Sequence, residues 1–201
     1  MTYGIAGGLI IAALCLLILL LTFILRITEI KGRLITGIIL GLIPVLAVVV
    51  VMGPERLRSP HIHDITTDTQ DPPQFREAYK LRSSDQNSLD YAGESVAALQ
   101  RQAYPEITPI ITNLSRYDAL QEATQVAKDM RWEFVNVDYE IGIIEAYDTS
   151  RLFGFVDDIV IRVSSRGSGS RVDIRSVSRV GKADLGANAL RIRHFKNIFR
   201  G

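Results

Sequence analysis

Ser176-Val177-Ser178-Arg179-Val180-Gly181-Lys182-Ala183-Asp184-Leu185-Gly186-Ala187-Asn188-Ala189-Leu190-Arg191-Ile192-Arg193-His194-Phe195 holds the densest set of position-specific residues in the chain. It reads as a strand ending in Ser-x-Ser-Arg, a glycine-containing turn, and a helix opening at Asp184. Leu185, Asn188, Ile192, Phe195 and Phe199 fall on one stripe of that helix. Asp184 is placed to cap it, its carboxylate accepting from amides two or three residues on. Gly186 in a first helical turn costs up to about 1 kcal/mol relative to alanine, so close approach of another backbone is expected there. Asn188 sits on the apolar stripe and is expected to be buried, and a buried amide needs partners. Ser176, Ser178 or the backbone of 64–68 can supply them. Ser176, Ser178, Asp184, Gly186 and Asn188 are therefore read as a polar latch that fixes the last helix to a sheet.

Upstream, extended runs are expected over Glu133–Val137, Glu140–Tyr147, Asp158–Ser164 and Arg171–Ser178. Ile159, Ile161 and Val163 alternate with Asp158, Val160 and Arg162, which buries one sheet face. Gly167-Ser168-Gly169-Ser170 is a hairpin tip. Ser115-x-x-Asp118 resembles a capping box, and Leu120, Ala123, Ala127 and Met130 follow at helical spacing. The order helix, four strands, helix predicts an α+β domain: an antiparallel sheet of about four strands with helices packed on one face. Residues 54–114, broken by Pro72-Pro73, Pro105 and Pro109, are expected to be an irregular segment wrapping the core 115–200. It contains a short extended piece near 61–68 and a short helix over 95–102.

The first quarter of the 201-residue chain is different. Ile5 to Leu25 carries no charge, and at about 1.5 Å per residue it covers the roughly 30 Å of a bilayer core. Leu34 to Met52 is a second uncharged run, ended by Gly53-Pro54. Residues 1–53 are thus expected to form a transmembrane helical hairpin, and 54–201 the second domain. Arg26, Lys31 and Arg33 lie between the runs, while the N-terminal tail has no basic side chain. The positive-inside tendency then predicts a two-pass protein of a bacterial inner membrane, with both termini and the domain in the periplasm. Gly37 and Gly41, like Gly8 and Ala12, are spaced for close helix packing.

Composition narrows the chemistry. A net charge of +1 gives no basis for nucleic-acid binding. The only cysteine, Cys15, excludes a disulfide framework and a thiolate metal site in the second domain. His63, Asp64 and Asp68 have the chemistry of catalytic or ligating groups. The spacing matches no zinc or EF-hand pattern, so neither a metal nor a cofactor is expected. A Ser178–His63–Asp64 triad can be drawn, but no Gly-x-Ser-x-Gly elbow supports it. Arg175, Ser178, Arg179 and Arg191, with the amides at the helix start, are the candidates for holding a carboxylate or phosphate. Arg191, Arg193, Lys196 and Arg200 make the last half-helix basic, which suits a helix C-terminus or the anionic headgroups of a lipid bilayer.

Two separated signatures resemble a known family. They are His63-Asp64-Ile65-Thr66-Thr67-Asp68 with Pro72-Pro73, and Phe153-Gly154-Phe155-x-Asp157-Asp158 through Val172-Asp173-Ile174-Arg175-Ser176-x-Ser178-Arg179-x-Gly181-x-x-Asp184-x-Gly186-x-Asn188. They resemble the bacterial and plastid domain-of-unknown-function family 1499, in which N-terminal membrane helices are familiar. The resemblance implies domain boundaries and no activity. The leading functional expectation is a binding or interaction domain for a membrane or periplasmic protein partner or a small anionic ligand. The alternatives are a hydrolase using His63 with Asp64 or Asp68, and a structural component of an envelope assembly.

Overall fold

The computed structural model describes residues 13–21, 23, 31–57, 59–151 and 153–199. Its elements are helix α1 (Lys31–Leu57), strand β1 (Asp64–Thr66), a 3-10 turn (Ala78–Leu81), α2 (Glu94–Ala103), β2 (Ile110–Thr112), α3 (Arg116–Asp129), β3 (Glu133–Asp138), β4 (Ile143–Thr149), β5 (Val156–Arg166), β6 (Gly169–Ser178) and α4 (Ala187–Ile198). The chain divides into two compact units, Met1–Arg58 and Ser59–Gly201.

In the first unit, residues 13–21 are helical and α1 follows. The expected transmembrane hairpin, and with it the two-pass inner-membrane location and periplasmic domain, is overturned. Among the described residues no helix is long and apolar enough to cross a membrane. Much of the first apolar run lies outside the described residues, and the helical stretch 13–21 rises only about 13 Å. α1 takes in Lys31 and Arg33 at one end and Glu55 and Arg56 at the other, so Gly53-Pro54 does not end it. Gly37 does allow close packing, since a Cβ there would stand 2.6 Å from Cys15 Sγ. The Gly8–Ala12 pair lies outside the described residues.

The second unit is α+β, with an antiparallel sheet of six strands rather than about four. The order is β1-β6-β5-β4-β3, and β2 also pairs with β6. The two additional strands have three residues each, too short to carry an alternation signal. Between them, Thr67 completes the edge of β6. Its backbone N–H donates to Ile174 O at 2.9 Å, and its hydroxyl accepts from Ile174 N–H at 2.9 Å. The buried Gln100 on α2 does the same for β1, donating to Thr66 O at 2.6 Å and accepting from Thr66 N–H at 2.9 Å.

One face of the sheet carries the main core. Ile144, Ile159, Ile161, Val163, Val172 and Ile174 meet Leu120, Ala123 and Ala127 of α3 and Ile192 and Phe195 of α4. Ser115 caps α3 as its sequence predicts, accepting from Asp118 N–H. The β5–β6 hairpin closes between Arg166 and Gly169, with Gly167 at φ 60°. Gly169 admits no side chain, because a Cβ would lie 2.1 Å from Thr112 O.

Replacing Thr67 with valine keeps its shape but leaves the buried Ile174 N–H without an acceptor. Urea denaturation followed by Trp132 fluorescence is expected to show a loss of about 1–3 kcal/mol. An unchanged midpoint would mean that the hydroxyl does not complete the sheet edge.

Candidate functional site

Alternation along β6 separates two polar groups. Arg171, Asp173, Arg175 and Arg179 face one side, while Ser176 and Ser178 face the other with Val172 and Ile174. The first side is not solvated, because residues 72–91 cover it. Phe75, Ala78 and Leu89 of that segment pack with Ile143, Val160 and Val177 of the sheet.

Arg175 is the centre of this covered face and is 0% exposed. Its Nε and Nη2 donate to the two carboxylate oxygens of Asp64 at 3.0 and 2.7 Å. Nη1 donates to Pro73 O at 3.2 Å, and Nη2 also donates to Leu89 O at 2.7 Å. The guanidinium lies 5.3 Å from the ring centroids of both Phe75 and Tyr91. Burial first, and the Asp64 charge second, push the Tyr91 hydroxyl up to about 12. Planar bidentate pairing with aromatic stacking is the geometry for which arginine is suited and lysine is not.

The same design is repeated nearby. Asp158, fully buried, accepts from Arg82 Nε at 2.7 Å and from Arg179 Nη2 at 2.8 Å. Asp173, also fully buried, accepts from Arg162 at 3.1 Å and Arg171 at 3.0 Å. The buried Glu145 carboxylate has no guanidinium in its set. It accepts from the backbone N–H groups of Arg76, Glu77 and Ala78, at 2.9, 3.0 and 2.9 Å. Asp68 accepts from Arg171 at 2.5 Å and caps the turn that follows through Gln70 and Asp71 N–H.

The latch occupies the opposite face. Asn188 Nδ2 donates to Ser178 Oγ at 2.9 Å and His63 O at 3.1 Å, and its Oδ1 accepts from Ser176 Oγ at 2.7 Å. Arg191 Nη1 donates to both members of that last bond, Asn188 Oδ1 at 2.6 Å and Ser176 Oγ at 3.0 Å. Its Nη2 reaches Asp157 at 2.6 Å and Asp148 at 3.0 Å. The helix opens three residues later than expected, with Gly186 at its N-cap and φ 77°. Asp184 nevertheless accepts from Gly186 N–H at 2.8 Å and Asn188 N–H at 2.9 Å. Burial holds the Asp184 carboxyl above the usual range, opposed by those two amides and reinforced by Asp157.

The catalytic candidates do not converge. The Asp64 carboxylate serves Arg175, and Asp68 serves Arg171. What His63 brings to the latch is its carbonyl, which also accepts from Ser178 N–H at 2.9 Å. Among the described residues no hydrogen bond joins the His63 ring to Asp64, Asp68 or Ser178, and no cluster of His, Cys, Asp and Glu has metal-ligand geometry. Arg175, Arg179 and Arg191 each face internal carboxylates, so none offers an open guanidinium. A concavity of about 430 Å³ beside Thr67, Thr69, Arg101 and Arg171 is also internally neutralised. There Arg101 pairs with Glu94, and Arg171 with Asp68 and Asp173. On α4, Arg193 pairs with Glu106, and Lys196 Nζ donates to Thr108 O at 2.7 Å. Arg200 lies outside the described residues.

Sequence reading misses Arg82, Glu145, Asp148 and Asp157. The available signal is charge of both signs on one strand face: Asp158 and Arg162 on β5 against Asp173, Arg175 and Arg179 on β6. Alternation alone treats such a face as solvent-exposed, whereas opposite signs at cross-strand positions, such as Arg162 against Asp173, also suit a covered ladder.

The raised Asp184 carboxyl makes a signed prediction. The folded state binds the proton more tightly than the unfolded state, so stability from this group is fully present below the unfolded value. It is lost as pH rises through the folded one. The stability of Asp184→Asn relative to wild type should therefore improve as pH is raised from about 4 to 7. Urea titrations at both values check this, and a trend of the opposite sign contradicts it.

A search of curated proteins finds no match. A family model does match, over residues 64–199, which takes in β1, the covered ionic face, the latch and α4. The chain belongs to the family described as "Protein of unknown function (DUF1499)".

Proposed function

We propose that the second unit is a binding domain whose partner is a protein. The sequence signature builds the domain, and the surface at the start of α4 makes the contact. Phe155, Val180, Leu185 and Leu190 are each more than a third exposed. Their positions in the chain lie toward one end of the sheet. Arg179 N–H bonds to Val156 O at 2.9 Å, and Arg191, next to Leu190, reaches Asp157 and Asp148. A small anion is the weaker reading, because every candidate arginine there already has a carboxylate.

The observation that carries this reading is Leu185. Its backbone is held at φ 52°, a left-handed conformation that costs a branched L-residue roughly 1–2 kcal/mol. Leu185 keeps 37% of its surface exposed despite that cost, and strained positions cluster where function needs them. Leu185 and Leu190 also flank the Gly186 cap at hydrophobic-staple positions. That arrangement presents both side chains on one short stretch of surface.

Leu185→Gly separates folding from binding. Glycine removes the strain but loses roughly 0.5–1 kcal/mol of backbone entropy. Stability is therefore expected to be unchanged or raised by up to about 1 kcal/mol. Site-specific photo-crosslinking from position 190 in cells should give a discrete protein adduct with wild type and lose it with Leu185→Gly. A clearly lower Tm with an unaltered adduct would assign Leu185 to folding alone.

A further inference from the structure

We propose that residues 72–91 form a strap that opens as a unit over the charged face of the sheet, while the six strands, α3 and α4 stay folded. The strap has its own apolar contact. Phe75, Ala78 and Leu89 meet Ile143, Val160 and Val177 as a small cluster separate from the main core. Losing that contact leaves the residues between the sheet and the two helices untouched.

The strap is fastened by side-chain clasps rather than by a strand ladder. Arg175 holds the two ends through Pro73 O and Leu89 O, at 3.2 and 2.7 Å. Glu145 holds the three amides of 76–78. Arg82 crosses to Asp158 and to Val177 O, the latter at 3.0 Å. Asn87 clasps the end of β6 and the chain just beyond it. Its N–H donates to Arg179 O at 2.8 Å, and its Nδ2 donates to Ser178 O and Gly181 O at 3.0 and 2.8 Å.

Two features mark the closed strap as the less secure part of the domain. Gln86 Oε1 and Tyr91 OH, both on it, are buried with no hydrogen-bond partner among the described residues. Its C-terminal end leads into Gly93, at φ 74° with open space around the Cβ position, while Pro72-Pro73 stiffens the other end. Opening would uncover Asp64, Glu145, Asp158 and Arg175 together. The strap thus gates a face that carries charges of both signs.

Native-state hydrogen exchange of the full chain tests this. In wild type, amides of 74–90 should exchange at least about 100-fold faster than those of β5 and β6, with a weaker dependence on urea. In Glu145→Gln the amide –NH2 group confronts backbone donors, and strap exchange should rise a further tenfold or so while β5 and β6 protection is unchanged. Asn87→Ala, at the far end, should do the same. The proposal is overturned if strap and sheet amides share one opening rate and one urea dependence in wild type. It is equally overturned if either folded variant leaves strap exchange unaltered.

Discussion

A guanidinium with no access to water governs this domain. Arg175 cannot be buried uncompensated, because desolvating a charge costs several kcal/mol and is repaid only by good geometry and a full set of partners. Its partners come from three places: Asp64 on β1, the carbonyls of Pro73 and Leu89, and the rings of Phe75 and Tyr91. All of them lie more than 80 residues upstream in sequence, so the dry, fully partnered state of Arg175 on β6 depends on the N-terminal segment of the unit. Glu145 and Asp158 apply the same requirement at neighbouring points, one through backbone amides and the other through Arg82 and Arg179.

The two faces of the sheet solve different problems. The face under α3 and α4 is filled mainly with aliphatic side chains and carries the polar latch at one end. There Asn188, Ser176, Ser178 and Arg191 saturate one another and the carbonyl of His63. The other face is ionic and covered by chain that forms no strand. Buried ion pairs add little stability over apolar packing but penalise any arrangement that separates them. Such a face suits a segment that must sit in one register without a ladder to define it.

Much of this is legible from residues alone. The capping serine of α3, the alternation of β5, the buried Asn188 and the capping role of Asp184 follow from spacing and from the needs of buried amides. Two short strands are not legible, because three residues cannot establish a period. The charged face is not legible either: Asp158 and Arg162 alternate with valine and isoleucine as a solvated face would, and nothing local says that residues 72–91 lie over them. The start of α4 is displaced because Leu185 and Gly186 both take left-handed backbone, which delays the helix while leaving Asp184 within reach of its amides. The N-terminal apolar runs mislead in another way, since hydropathy read as a continuous string does not locate helix ends.

The family signature encodes a buried ionic framework before it encodes a site. The direct measurement is a double-mutant cycle on Asp64 and Arg175, with Asp64→Leu, Arg175→Met and the pair assayed by urea denaturation. Each single change should cost about 3–5 kcal/mol, because it strands the other charge. The pair should cost less than the sum, with a coupling of about 1–3 kcal/mol. Additive costs near zero, in proteins that remain folded, would contradict the account and make Arg175 a group kept for something other than the fold.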